Sequence, residues 1–187
     1  SEKNIWIGTE GGGINYLDHS QNRNFKTGFV NYSLGNEMLE NNVYSIIETG
    51  RGTDRKIWAG AGYPVRLMQF NPGNQKNPQM LGNPLPELAN SVFALLKDRD
   101  ENVWLGTYGS TGLFKYAKSG TGYRLVNYKS SGNPGDLSSN VIRSLLQDKK
   151  GNIWIGTDAG LNVLPASELL KDHPRFVVYR NEPGDLN

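Results

Sequence analysis

Apolar and polar residues alternate in short runs along this chain, and the runs recur. "NNVYSIIE" begins at Asn41, "NSVFALLK" at Asn90 and "NVIRSLLQ" at Asn140. Aligned on those asparagines, Val43, Val92 and Ile142 correspond, then Ser45, Ala94 and Ser144, then Ile46, Leu95 and Leu145. Short runs with period-two alternation and β-branched residues predict strands, not helices. A second run follows each, "KIWAGA", "NVWLGT" and "NIWIGT", and a further copy stands near the start of the chain. Its tryptophans are Trp6, Trp58, Trp104 and Trp154, spaced by 52, 46 and 50 residues. Each is followed two positions later by a glycine: Gly8, Gly60, Gly106 and Gly156. The polar stretches between the two runs, "TGRGTDR", "DRDEN" and "DKKGN", predict hairpin turns.

The first tryptophan run leads into "GTEGGG", with four glycines from Gly8 to Gly13. A phosphate-binding loop of this kind needs a helix directly after the glycines. Here Ile14, Asn15, Tyr16 and Leu17 alternate like a strand, and related turns recur after the other tryptophans. The run therefore predicts a turn between a second and a third strand. A fourth strand is predicted at 29–33 ("FVNYS"), 123–129 ("YRLVNYK") and 176–180 ("FVVYR"). The Trp58 unit shows none; its connection at 71–90 is long, with four prolines. "PASELLKDH" at 165–173 is the best helix candidate, one turn between a third and a fourth strand.

Four short antiparallel strands repeated about every 50 residues are the sequence sign of a β-propeller blade. The expected fold is all-β: a partial propeller of about four blades, in one domain. The units run over 1–38 (incomplete), 39–88, 89–136 and 137–181, with a stub at 182–187. Alternation places the four tryptophans between blades as core, not as a sugar-stacking surface. The chain begins at the second strand of one blade and ends at the first strand of another, as a segment of a longer protein would. Such an open arc is expected to self-associate, or to close imperfectly through its loose strand.

Composition narrows the chemistry. The chain has 187 residues and a formal net charge of +2, with no basic block to make a nucleic-acid footprint. Cysteine is absent, which removes disulfides and thiol chemistry. No apolar stretch of ~20 residues spans a membrane, and no secretory leader is evident. "DRDEN" sets Asp98, Asp100 and Asn102 at alternate positions, but Val103 and Gly109 stand where a calcium loop has its glycine and glutamate. A hairpin turn is expected there. His19 and His173 have no metal-ligand spacing. No cofactor, metal or catalytic residue is assigned.

The pattern D-x-x-G-x-I-W-I-G-T-x-x-G-G-L resembles the two-component regulator propeller repeat. "DKKGNIWIGTDAGL" carries it in Asp148, Gly151, Ile153, Trp154, Ile155, Gly156, Thr157, Gly160 and Leu161. The Trp104 unit has Glu101 at the first glycine position, and the Trp58 unit replaces the threonine with Ala61 and the glycine turn with "GYPVR". The resemblance covers nearly the whole chain. It implies a propeller in the periplasmic sensor region of a Bacteroidetes hybrid histidine kinase, usually one of two seven-bladed propellers ahead of a β-sandwich, a membrane helix and the kinase. It implies signals that are often oligosaccharides, and an output in the transcription of polysaccharide-utilisation genes.

Ligands of propellers usually meet the face formed by the second-to-third and fourth-to-first strand loops. The second-to-third turns present Glu10, Tyr63, Arg66, Tyr108, Ser110 and Asp158. Tyrosine faces and planar polar groups suit a sugar, which makes these the candidate ligand-binding residues. The Trp58 unit, which breaks the repeat, is the most suspect functional region. A non-catalytic oligosaccharide sensor is the first reading, and a scaffold for dimerisation or domain contacts the second. A propeller lyase or glycosidase is third: carboxylates such as Glu10 and Asp158 lie on distant blades, and no histidine falls in these turns.

Overall fold

The structure, a computed structural model, describes residues 4–17, 29–36, 38–72, 79–119 and 122–180. His19 and the stub at 182–187 lie outside them. The described residues form one three-stranded and three four-stranded antiparallel sheets. The first sheet is β1 (Ile5–Gly8), β2 (Ile14–Leu17) and β3 (Phe29–Tyr32). The second is β4 (Val43–Thr49), β5 (Lys56–Ala61), β6 (Leu67–Asn71) and β7 (Gln79–Gly82). The third is β8 (Ser91–Lys97), β9 (Val103–Tyr108), β10 (Leu113–Ser119) and β11 (Gly122–Tyr128). The fourth is β12 (Ile142–Gln147), β13 (Ile153–Thr157), β14 (Gly160–Leu164) and β15 (Val177–Tyr179). Strand order within every sheet follows chain order, the meander of a propeller blade.

The chain divides into two compact units, Ser1–Val92 and Phe93–Asn187, with the boundary inside β8. In the first, Ile14, Val43, Ile57, Ala59, Ala61 and Phe70 form the core, with Trp6 and Tyr32 packed on it. In the second, Trp104, Leu113, Leu137, Ile142, Ile153, Ile155, Leu164 and Phe176 do the same. The tryptophans are core residues to different degrees. Trp104 is 0% exposed and Trp58 4%, whereas Trp6 and Trp154 are half-buried. A tyrosine ending the fourth strand stacks on the tryptophan in two sheets: Trp6 with Tyr32, centroids 6.3 Å apart, and Trp104 with Tyr128 at 5.9 Å. Burial raises the pKa of both tyrosines, which keeps them neutral.

The glycine two residues after each tryptophan has a packing reason. A Cβ on Gly8 would stand 2.5 Å from Val43 Cγ1, and one on Gly106 would stand 2.5 Å from Ile142 Cγ2. On Gly60 it would meet the Val92 carbonyl oxygen at 2.6 Å. Each of these partners begins the next sheet, so the missing side chain lets the following strand approach.

The hairpins are held by groups that alternation did not single out. The Asp98 carboxylate accepts hydrogen bonds from the backbone N–H groups of Asp100 and Asn102, from Asn102 Nδ2 and from the Trp104 indole at 2.8 Å. Asp148 accepts the same set from Lys150, Asn152 and the Trp154 indole at 2.9 Å. "DRDEN" is thus a hairpin turn organised by its first aspartate. Glu101, with φ 62°, takes the left-handed position that Gly151 fills in the fourth sheet. The threonine after the tryptophan glycine closes the other turn: Thr9, Thr107 and Thr157 donate to the carbonyls of Gly13, Gly112 and Gly160 at 2.9, 2.6 and 2.9 Å.

One expectation changes, and another, the single turn within 165–173, is met. The Trp58 sheet has a fourth strand, β7, which the sequence pattern hid: "QMLG" is short, without alternation, and is exposed for three of its four residues. The 165–173 helix candidate is a 3-10 turn over Ala166–Glu168 between β14 and β15. Among the described residues, no helix is long and apolar enough to cross a membrane.

Candidate functional site

Two of the first strands carry a β-bulge at the same place. Val43 pairs with Ala61 and Ser45 with Gly60, which leaves Tyr44 as the extra residue. Ile142 pairs with Thr157 and Ser144 with Gly156, which leaves Arg143 extra. A bulge re-aims the side chain it releases, and bulges are enriched beside functional sites. Phe93 holds the corresponding position in β8, directly after Val92. Position-equivalent partners sit at the ends of the tryptophan strands: Tyr108 after β9's core and Asp158 after β13.

In the second unit these positions meet. Phe93 and Tyr108 stack with centroids 4.8 Å apart and planes 14° from parallel. The Arg143 guanidinium lies 4.7 Å from the Tyr108 ring centre and 5.7 Å from that of Phe93. Arg143 Nε donates to Asp158 Oδ1 at 2.6 Å and Nη2 to Oδ2 at 3.3 Å. The hydrogen bonds to Asp158 raise the pKa of Arg143 and fix its fork in the plane the carboxylate defines. Tyr108 is 46% exposed, and Arg143 and Asp158 also face solvent. The result is an open platform: two aromatic faces, one delocalised cation and one carboxylate. Ser110 is exposed in the same turn as Tyr108, whose geometry is set by a 2.8 Å bond between Thr107 and Thr111.

The other named residues lie in the first unit. Tyr63 is 66% exposed and the Arg66 guanidinium lies 5.0 Å from its ring centre. Arg66 Nε is buried and has no acceptor among the described residues. Glu10 is exposed in a turn pinned by a 2.7 Å bond from the Gly11 N–H to Asn42 Oδ1. The structure thus pairs Tyr63 with Arg66, and it joins Tyr108 to Asp158 through Arg143. Sequence reasoning missed Phe93 and Arg143 because they sit inside a strand, where alternation assigns a side chain to one sheet face and cannot show a bulge.

Residues 86–109 and 136–159 match the two-component regulator propeller family. None of the curated proteins matches this chain. Among solved structures, it is similar to the extracellular domain assigned to the hybrid two-component system BT3049 from B. thetaiotaomicron, at 22% identity and a TM-score of 0.65. That alignment covers 96% of this chain and 22% of the other. It is also similar to PorZ, a surface component of the type-IX secretion system of Porphyromonas gingivalis, at 18% identity and a TM-score of 0.56, over 87% of this chain and 24% of PorZ. The chain therefore spans about a quarter or less of the proteins whose fold it shares. Within its meander sheets and recurrent tryptophan strands, this chain thus carries two segments, 86–109 and 136–159, that match the two-component regulator propeller repeat.

Proposed function

We propose that this chain is a non-catalytic part of the periplasmic sensor region of a hybrid two-component signalling protein. In this reading it detects an oligosaccharide and passes the event to a kinase and a transcriptional output. The observation that carries it is the Phe93–Tyr108–Arg143–Asp158 platform. Sugar C–H faces pack on aromatic rings, and vicinal hydroxyls suit a guanidinium and a carboxylate presented in one plane. The family match and the extracellular setting of the BT3049 domain support placement outside the cytoplasm. The Asp158 carboxylate is committed to Arg143, an arrangement for binding and not for proton transfer.

A scaffold role has its own support: Arg143 of β12 grips two aromatics from the neighbouring sheet, which would also fasten blades together. The test is titration calorimetry of the chain against neutral plant and host oligosaccharides, with Tyr108→Ala and Arg143→Ala alongside. Binding lost in both variants, with unfolding midpoints little changed, supports the sensor. Lowered midpoints and no sugar heat would favour the scaffold.

A further inference from the structure

One buried charge in the second unit serves no part of the platform. Lys115 on β10 is only 8% exposed. It stands opposite Trp104 in the β9–β10 ladder, with its ammonium 5.2 Å from the indole ring centre. Among the described residues the ammonium has one hydrogen-bond acceptor, the Leu169 carbonyl oxygen at 3.3 Å. An ammonium has three N–H donors, and burying one with a single long bond is unfavourable unless an anion completes its shell.

The repeat supplies an internal control. The residue facing the tryptophan is Tyr16 across from Trp6, Gln69 across from Trp58 and Val163 across from Trp154. The blade is thus built three times without a charge at this place. Only the third sheet puts a cation there, and Arg124 stands two residues before Val126, Lys115's partner on β11. Lys115, Ala117, Arg124, Val126 and Tyr128 share one sheet face by alternation and pairing, and residues 169–172 lie over it. Together they line a cavity of about 210 Å³. Its rim charges are Arg124, Asp172 and Lys171, the last tied to Glu168 at 2.6 Å. With Lys115 on its floor, the cavity is positive overall. Ala117, Val126, Leu169 and Leu170 give it apolar walls.

The geometry points to a binding site for an organic carboxylate of about monosaccharide size, with its carboxylate between Lys115 and Arg124 and its apolar side on the Val126 and Leu169 walls. The cavity, open to solvent on one side, has room for one sugar ring over Lys115. The site is separate from the aromatic platform, and its test does not depend on that reading.

The test is a titration of the isotope-labelled chain by NMR with sodium D-glucuronate, D-glucose and sodium sulfate at constant ionic strength. Glucuronate is expected to shift the amides of Lys115, Arg124 and residues 169–172 saturably, with glucose leaving them in place and sulfate binding at least tenfold more weakly. Lys115→Gln, which installs the residue that faces Trp58, should weaken glucuronate at least tenfold; Arg124→Gln, at an exposed position, should weaken it several-fold. If Lys115→Gln does not fold, Arg124→Gln alone carries the test. Shifts that sulfate reproduces at equal affinity, that persist in the variants, or that never appear would overturn the site and leave Lys115 as a clasp for the Leu169 carbonyl.

Discussion

The second and third sheets are two copies of one plan, and they differ where the copying loosened. In the third sheet, Leu113 opens β10 opposite Tyr128 of β11, and a Cβ on Gly112 would run into the Tyr128 carbonyl oxygen. The same crowding exists in the first and fourth sheets, at Gly13 against Tyr32 and Gly160 against Tyr179. Glycine is obligatory at such a place. In the second sheet, β7 pairs with β6 only from Gln69 onward, through a bulge, and no residue stands opposite Leu67. The crowding carbonyl is gone, and Arg66 takes the left-handed conformation at φ 63°. Losing the fourth-strand tyrosine thus frees a turn position for a long cationic side chain. A similar exchange occurs at the hairpin: Thr49 aligns with Asp98 and Asp148, and a single hydroxyl accepts the Trp58 indole at 2.9 Å.

The largest effects should follow tryptophan burial. Trp104→Ala removes a fully buried side chain and its stack on Tyr128, and should cost about 3–5 kcal/mol. Trp154→Ala, at a half-buried site, should cost about half of that. Urea unfolding followed by far-UV circular dichroism checks both, with the two units fitted separately if the transition is not single. Equal losses would show that the four blades use their tryptophans alike, against the burial difference.

Next comes the glycine–arginine exchange. Gly112→Ala places a methyl group on the Tyr128 carbonyl at a left-handed φ and should destabilise by about 1–3 kcal/mol. Arg66→Gly relieves a left-handed side chain and should change stability by no more than about 1 kcal/mol, in the favourable direction. If Arg66→Gly is instead strongly destabilising, the Tyr63–Arg66 contact holds the turn, and the second sheet was rebuilt around it.

The aspartate turns should rank below these. Asp98→Ala strands the Trp104 indole N–H and the Asn102 amide, at about 1–3 kcal/mol, and Thr49→Ala loses one hydrogen bond, at about 1 kcal/mol. Asp148 adds a pH signature. Hydrogen bonds from the Trp154 indole first, then from Asn152 and Lys150, hold its pKa down at about 2 against an ordinary 3.8. A carboxyl depressed on folding stabilises fully above its unfolded pKa, and that part is lost as pH falls from about 4 towards 2. Asp148→Asn should flatten the acid limb of the stability profile over that window.

Much of this was legible because the chain repeats itself. Four tryptophan–glycine pairs and three asparagine–valine strands outweigh the ambiguity of any single short run. What escaped had physical causes. β7 carries no alternation because most of it faces water. Asp98 looked like one of several turn polars, since a carboxylate's grip on an indole six residues on is set by the hairpin's return path. Tyr108 and Asp158 were readable as turn residues, but the cation joining them was not.

Arg143 is where the smallest stability effect and the sharpest functional one should coincide. Its ion pair with Asp158 is exposed on both sides, at 45% and 44% of the side-chain surfaces, and such pairs contribute at most about 1 kcal/mol. Its contact with the Tyr108 face adds a similar amount at an exposed site. Arg143→Ala should therefore move the unfolding midpoint little. Arg143→Lys keeps the charge and loses the planar fork, and should retain stability while weakening any ligand that uses both fork and ring. If the lysine variant binds sugar as the parent does, the platform acts through charge alone. If alanine at this position collapses the second unit, Arg143 is a rivet between sheets, and the bulge that releases it is there for packing.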